Sequence, residues 1–191
     1  MNQTITYGSD PEFHLWDNQK KRIVSAIPVV KTDKNRPVHL GGGIHAYADN
    51  VLIETSFPPA DNKKQFIGRF RAAFDKMQNF IGDRYRLLPK AAHKYHKDEL
   101  KDPKSWEIGC SPNFDAYKCS MNNPLPFQDG LRTGSCHFHI GHKSLIDFST
   151  RIDTIKLLDI FLGCASVIFD TDKTSKARRK YYGGNRAAFQ A

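Results

Sequence analysis

The sequence predicts an α+β domain, a curved antiparallel sheet with helices packed on one face. Three observations lead there. The first 57 residues carry alternating or β-branched stretches broken by turn clusters. An apolar stripe at three- and four-residue steps follows, made of Phe66, Phe70, Phe74, Met77 and Ile81. Then a strand-like "SCHFHIGH" precedes a second helical stretch, "STRIDTIKLLDIFLGCASVIFD".

Taken in order, "EFHLWD" alternates and reads as a strand. "RIVSAIPVV" is an apolar run ended by the turn cluster "KTDKNRP". "VHLGGGIHAYADNVLIETSF" gives two extended pieces, with Gly41 to Gly43 permitting a tight turn and Asp49-Asn50 as the expected hairpin corner. Pro58-Pro59 stops the strand, and Asp61 is the expected N-cap of the phenylalanine helix. Between Leu88 and Gln128 the pattern weakens around Pro89, Pro103, Pro112, Pro124 and Pro126. A long loop in a compact domain is often functional, and Trp106, Phe114 and Tyr117 are its candidates to shape a pocket. Ser149 or Thr150 is the expected cap of the second helix, and Ile152, Ile155, Leu158 and Leu162 its expected buried face.

The 191 residues suit one domain, 1–191, and 13 phenylalanines can fill its core. No signal-peptide pattern opens the chain. The most apolar run, Ile160 to Phe169, is about half the length needed to cross a bilayer. The expectation is a cytoplasmic protein with no membrane partner. The four cysteines show no CxxC pair, so free and largely buried thiols are expected. A net charge of +9 attracts nucleotides, nucleic acid or acidic peptides without choosing among them. Because no recognition-helix, RNP or zinc-finger pattern is present, sequence-specific nucleic acid is not an expected partner.

The chemistry-bearing residues are extended-strand pairs. In a strand, His137 and His139 point to one face and His142 to the other. Asp10 and Glu12 have the same spacing, and Glu54 interrupts the apolar "VLIETSF". An unpaired buried glutamate costs several kcal/mol, so Glu54 should face solvent or a cation. If these strands are neighbours, Asp10, Glu12, Glu54 and His137 converge, and mostly oxygen ligands favour Mg²⁺ or Mn²⁺. Arg178, Arg179, Lys180 and Arg186 add cations that can meet phosphate, the combination phosphoryl transfer requires. Hydrolase patterns fit less well. Gly141 stands where a metallo-β-lactamase HxHxDH motif has aspartate, and Lys143 stands about where a cupin would place glutamate. There is no serine-hydrolase elbow.

The pieces "GSDPEFHL", "GGGIHAYADNVLIE", "GCSPNFDAY", "RTGSCHFHIGH", "KLLDIFLGCASVIFD" and "ARRKYYG" together resemble the phage-type carboxylate–amine ligases, or amidoligases, related to glutamine synthetase and glutamate–cysteine ligase. The resemblance implies a glutamine-synthetase-like sheet and an ATP- and Mg²⁺-dependent reaction in the host cytoplasm. A substrate carboxylate would be phosphorylated and the acyl phosphate attacked by an amine to form an amide. It implies that Asp10, Glu12, Glu54 and His137 hold metal, and that His139, Arg178 and Arg179 lie at the nucleotide phosphates. Glu12, Glu54, His139 and Arg179 would be the catalytic set. Members of that family continue into a further strand with a Glu-x-Arg pair, whereas this chain ends at Ala191. Two expectations follow: a shortened ligase completed by a second subunit, with Arg186 standing in, or a catalytically silent scaffold that binds a nucleotide or a host protein.

Overall fold

The computed structural model describes residues 4–107, 113–122, 130–181 and 188–189. It is a mixed α+β fold built on a curled antiparallel half-barrel sheet. In chain order the first half contains β1 (Thr6–Asp17), β2 (Arg22–Val24), the one-turn helix α1 (Ile27–Val30), β3 (Val38–Gly41), β4 (Ile44–Asp49), β5 (Leu52–Ser56), α2 (Lys63–Ile81), β6 (Tyr85–Leu88) and β7 (Ala92–Lys94). The second half contains β8 (Phe114–Asp115), β9 (Ser120–Met121), β10 (Leu131–Thr133), β11 (Cys136–Gly141), α3 (Phe148–Leu158), α4 (Ala165–Phe169), α5 (Ser175–Tyr181) and β12 (Ala188–Phe189). The main sheet runs β11-β1-β5-β4-β3, and β2 and β6 also pair with the far end of β1.

Strand β1 is the hub. Its odd-numbered residues Phe13 and Leu15 are buried with Ile53 of β5 against Met77 and Ile81 of α2. The alternation of a strand therefore sends Asp10, Glu12 and His14 to the opposite face. Helix α2 covers the apolar face as its stripe predicts, although Asn62 rather than Asp61 caps it, accepting from the Gln65 amide at 3.0 Å. The fully buried Asp17 closes the β1–β2 turn by accepting from the amides of Gln19 at 2.8 Å and Lys20 at 3.0 Å, and from Arg84 Nη2 at 2.9 Å.

Several local expectations change. "RIVSAIPVV" is extended only to Val24, because Pro28 sits in the first turn of α1, where its missing N–H costs no ladder bond. The glycine-rich stretch makes three strands rather than two, with Gly41, Gly42 and Gly43 all at positive φ between β3 and β4. Asp147 caps the second helix, accepting from the Thr150 amide at 2.8 Å. That helix runs from α3 through a π-helical turn, Asp159–Cys164, into α4. Of its expected buried face only Ile152 is buried, and Leu162 is 47% exposed. Cys119, Cys136 and Cys164 are exposed, against expectation, since they lie on a turn, an edge strand and this uncovered helix; Cys110 lies outside the described residues. Among the described residues no helix is long and apolar enough to cross a membrane.

Candidate metal centre

The polar face of the sheet gathers the acidic side chains through strand register. Glu12 of β1 lies directly opposite Glu54 of β5, and Glu54 lies opposite Tyr47 of β4. Asp49 ends β4 two residues beyond Tyr47, so its side chain points the same way. Carboxylate oxygens of Glu12, Asp49 and Glu54 all fall within 4.8 Å of one another. On the other side of β1, Asp10 pairs with His137 and Gly8 with His139. Asp10 Oδ1 lies 3.1 Å from His137 Nδ1 and 3.3 Å from His139 Nε2.

Two glutamates facing each other across a ladder repel, and Glu54 is only 3% exposed, so water screens little of that repulsion. Burial first, then the charges of Glu12, Asp49 and Asp10, push the Glu54 carboxyl up to about 9; a hydrogen bond from the Tyr47 hydroxyl only partly offsets this. Burial and Asp49 also push Glu12 well above the usual carboxylate range, although the Ser135 amide and hydroxyl donate to its Oε2 at 2.7 and 3.2 Å. Burial raises Asp49 as well. The three carboxylates therefore share protons unless a cation replaces them. An all-oxygen donor set of this kind fits a hard divalent ion, Mg²⁺ or Mn²⁺.

Asp10 behaves differently. Burial would raise its pKa, yet the hydrogen bonds from His137 and His139 hold it well below the usual range. In return Asp10, through that hydrogen bond, raises His137, while the Arg178 charge opposes its protonation. The Asp10 carboxylate thus serves to orient two imidazoles rather than to complete the acidic triad. Arg178 is carried to this face by α5, whose start is tied to β7: Asp172 accepts from the Ala91 amide at 2.5 Å, and Thr174 Oγ1 from the Ala92 amide at 3.0 Å. The side chain of Arg179 and the whole of Arg186 lie outside the described residues.

Of the residues singled out in the sequence, Asp10, Glu12, Glu54, His137 and His139 therefore stand on one face of three adjacent strands. Asp49 is the member that sequence reasoning missed, because Asp-Asn reads as turn chemistry; the turn falls one residue later, where Asn50 takes φ 55°. A pocket of about 510 Å³ opens beside Asp49, with Lys31, Lys34 and Lys104 among its basic walls and Asp33, Asp102 and Glu107 among its acidic ones. No protein-family model, curated protein or solved structure matches this chain.

Proposed function

We propose that the protein is an ATP- and Mg²⁺-dependent carboxylate–amine ligase of the amidoligase type, with a glutamine-synthetase-like catalytic sheet. One observation carries this reading: a carboxylate triad, with Glu54 buried and Glu12 and Asp49 half-buried, flanked on the same face by two imidazoles paired with Asp10. Divalent ions held by the triad would supply charge neutralisation at the nucleotide phosphates. His137, held by Asp10, lies close enough for its charge to act on Glu12 and Asp49, and Arg178 adds a cation near His137. In the pocket beside Asp49, Lys104 and Asp33 pair with each other at 2.7 Å, while Lys31 and Lys34 line the wall a substrate carboxylate would meet. In the first half-reaction the substrate carboxylate oxygen takes the γ-phosphoryl group and ADP leaves. In the second, an amine attacks the acyl carbon, phosphate departs with the C–O bond electrons, and the amine loses a proton.

Isothermal titration with Mg·ATP, followed by ADP release in pooled carboxylates and amines, tests the proposal. Metal-dependent nucleotide binding with amine-stimulated ADP release is expected. Binding without turnover in any pool would instead support a silent nucleotide-binding scaffold, and absence of Mg·ATP binding would refute both.

A further inference from the structure

Among the described residues, nothing covers the apolar surface of the segment from α3 through α4. Phe161, Ile168 and Phe169 are 75%, 82% and 80% exposed, and Leu157, Ile160 and Val167 are at least half exposed. No charged residue occurs between Asp159 and Asp170. A helix that is apolar on all sides belongs in a core or an interface. With a fully exposed large apolar side chain contributing on the order of 200 Å², Leu157 to Phe169 present roughly 800 Å². That exceeds the patch of a few hundred Å² that a monomer ordinarily tolerates, and equals about what one partner gives to a stable interface.

We infer that a second copy of this chain covers the surface, in an antiparallel two-fold pairing centred near Gly163. Two features favour that occupant. The area suffices for a stable dimer without recruiting any other surface. The flanking charges are also complementary under this register. Lys156, seven residues before Gly163, meets Asp170, seven residues after it and the C-cap of α4, on the second copy. An isologous contact makes that pair twice.

Sedimentation velocity on the full chain, from about 1 to about 100 µM, tests the pairing. The expected species is a closed dimer of twice 21.8 kDa. The double variant Phe161→Asp/Ile168→Asp changes only exposed side chains, so its circular dichroism should match the parent while dissociation weakens by at least about 100-fold. Lys156→Asp should weaken the dimer, and adding Asp170→Lys should restore it. A parent chain that stays monomeric at the highest concentration overturns the inference and leaves the patch to another partner. Open-ended oligomers, or a double variant that dimerises as tightly as its parent, overturn it equally.

Discussion

Replacing Glu54 by glutamine isolates the charge that the fold tolerates least. The metal-free parent holds a proton on Glu54 up to about pH 9, whereas the unfolded chain releases it near 4.5. The folded form therefore binds more protons in that window, and stability falls as pH rises through it. At about 1.4 kcal/mol per pKa unit, going from pH 7 to pH 9 costs the metal-free parent at most about 3 kcal/mol, or a Tm drop of roughly 6–12 °C for a domain of this size. Glu54→Gln has no proton to lose, so its melting temperature should change much less between those pH values and exceed the parent's at the upper end. Saturating Mg²⁺ should protect the parent, because the ion replaces the protons, and should protect the variant little. Losing one unit charge at about 4 Å from a divalent ion, at an effective dielectric near 20, removes about 8 kcal/mol of attraction, of which about 3 kcal/mol is offset at pH 7 by the proton the parent must release, so affinity should fall by at least about a thousandfold. Thermal melts at several pH values with and without MgCl₂, paired with Mg²⁺ titration calorimetry, read both quantities. If the variant binds Mg²⁺ as the parent does, or the parent's melting temperature ignores both pH and Mg²⁺, the triad is not a cation site.

Asp10→Asn removes the hydrogen-bond partner that raises His137, so the His137 titration followed by NMR should shift to lower pH. Gly43→Ala places a Cβ 2.6 Å from Pro58 Cγ at a φ of +73°, and chemical denaturation should show a loss of at least about 1–2 kcal/mol. The buried His14 hydrogen-bonds Tyr95 at 2.7 Å through Nδ1, while its Nε2, beside the Lys90 carbonyl, lacks a well-formed bond. Burial and the neighbouring His93 and Lys90 charges depress its pKa to about 3, so its stabilisation is present above pH 6.5 and drains away as pH falls toward 3. His14→Gln should flatten the acid-unfolding curve across that interval.

The legible parts of the sequence were those governed by local periodicity. The phenylalanine stripe located α2, and the two-residue spacings of Asp10 with Glu12 and of His137 with His139 gave faces that the strand register then aligned. Glu54 stood out because a charged residue in an apolar strand requires a partner. Asp49 did not, since its partners lie across strands and its neighbour Asn50 dominates the local signal. The breadth of the second helix's apolar surface was equally hidden, because a helical stripe shows that a face wants burial but not whether the same chain supplies the cover.

The pairing of β1 with β11 joins Asp10 to His137 across 127 positions of chain. On a ribosome the N-terminal acids emerge early, and β1, β3, β4 and β5 can zip together from the first 56 residues. The imidazoles arrive only after residue 141 has cleared the exit tunnel. Were those strands to pair before β11 is made, Glu12, Asp49 and Glu54 would come together without their histidine neighbours. A scavenged ion at that stage would speed folding by relieving the repulsion, so refolding in Mg²⁺ should outpace refolding in chelator.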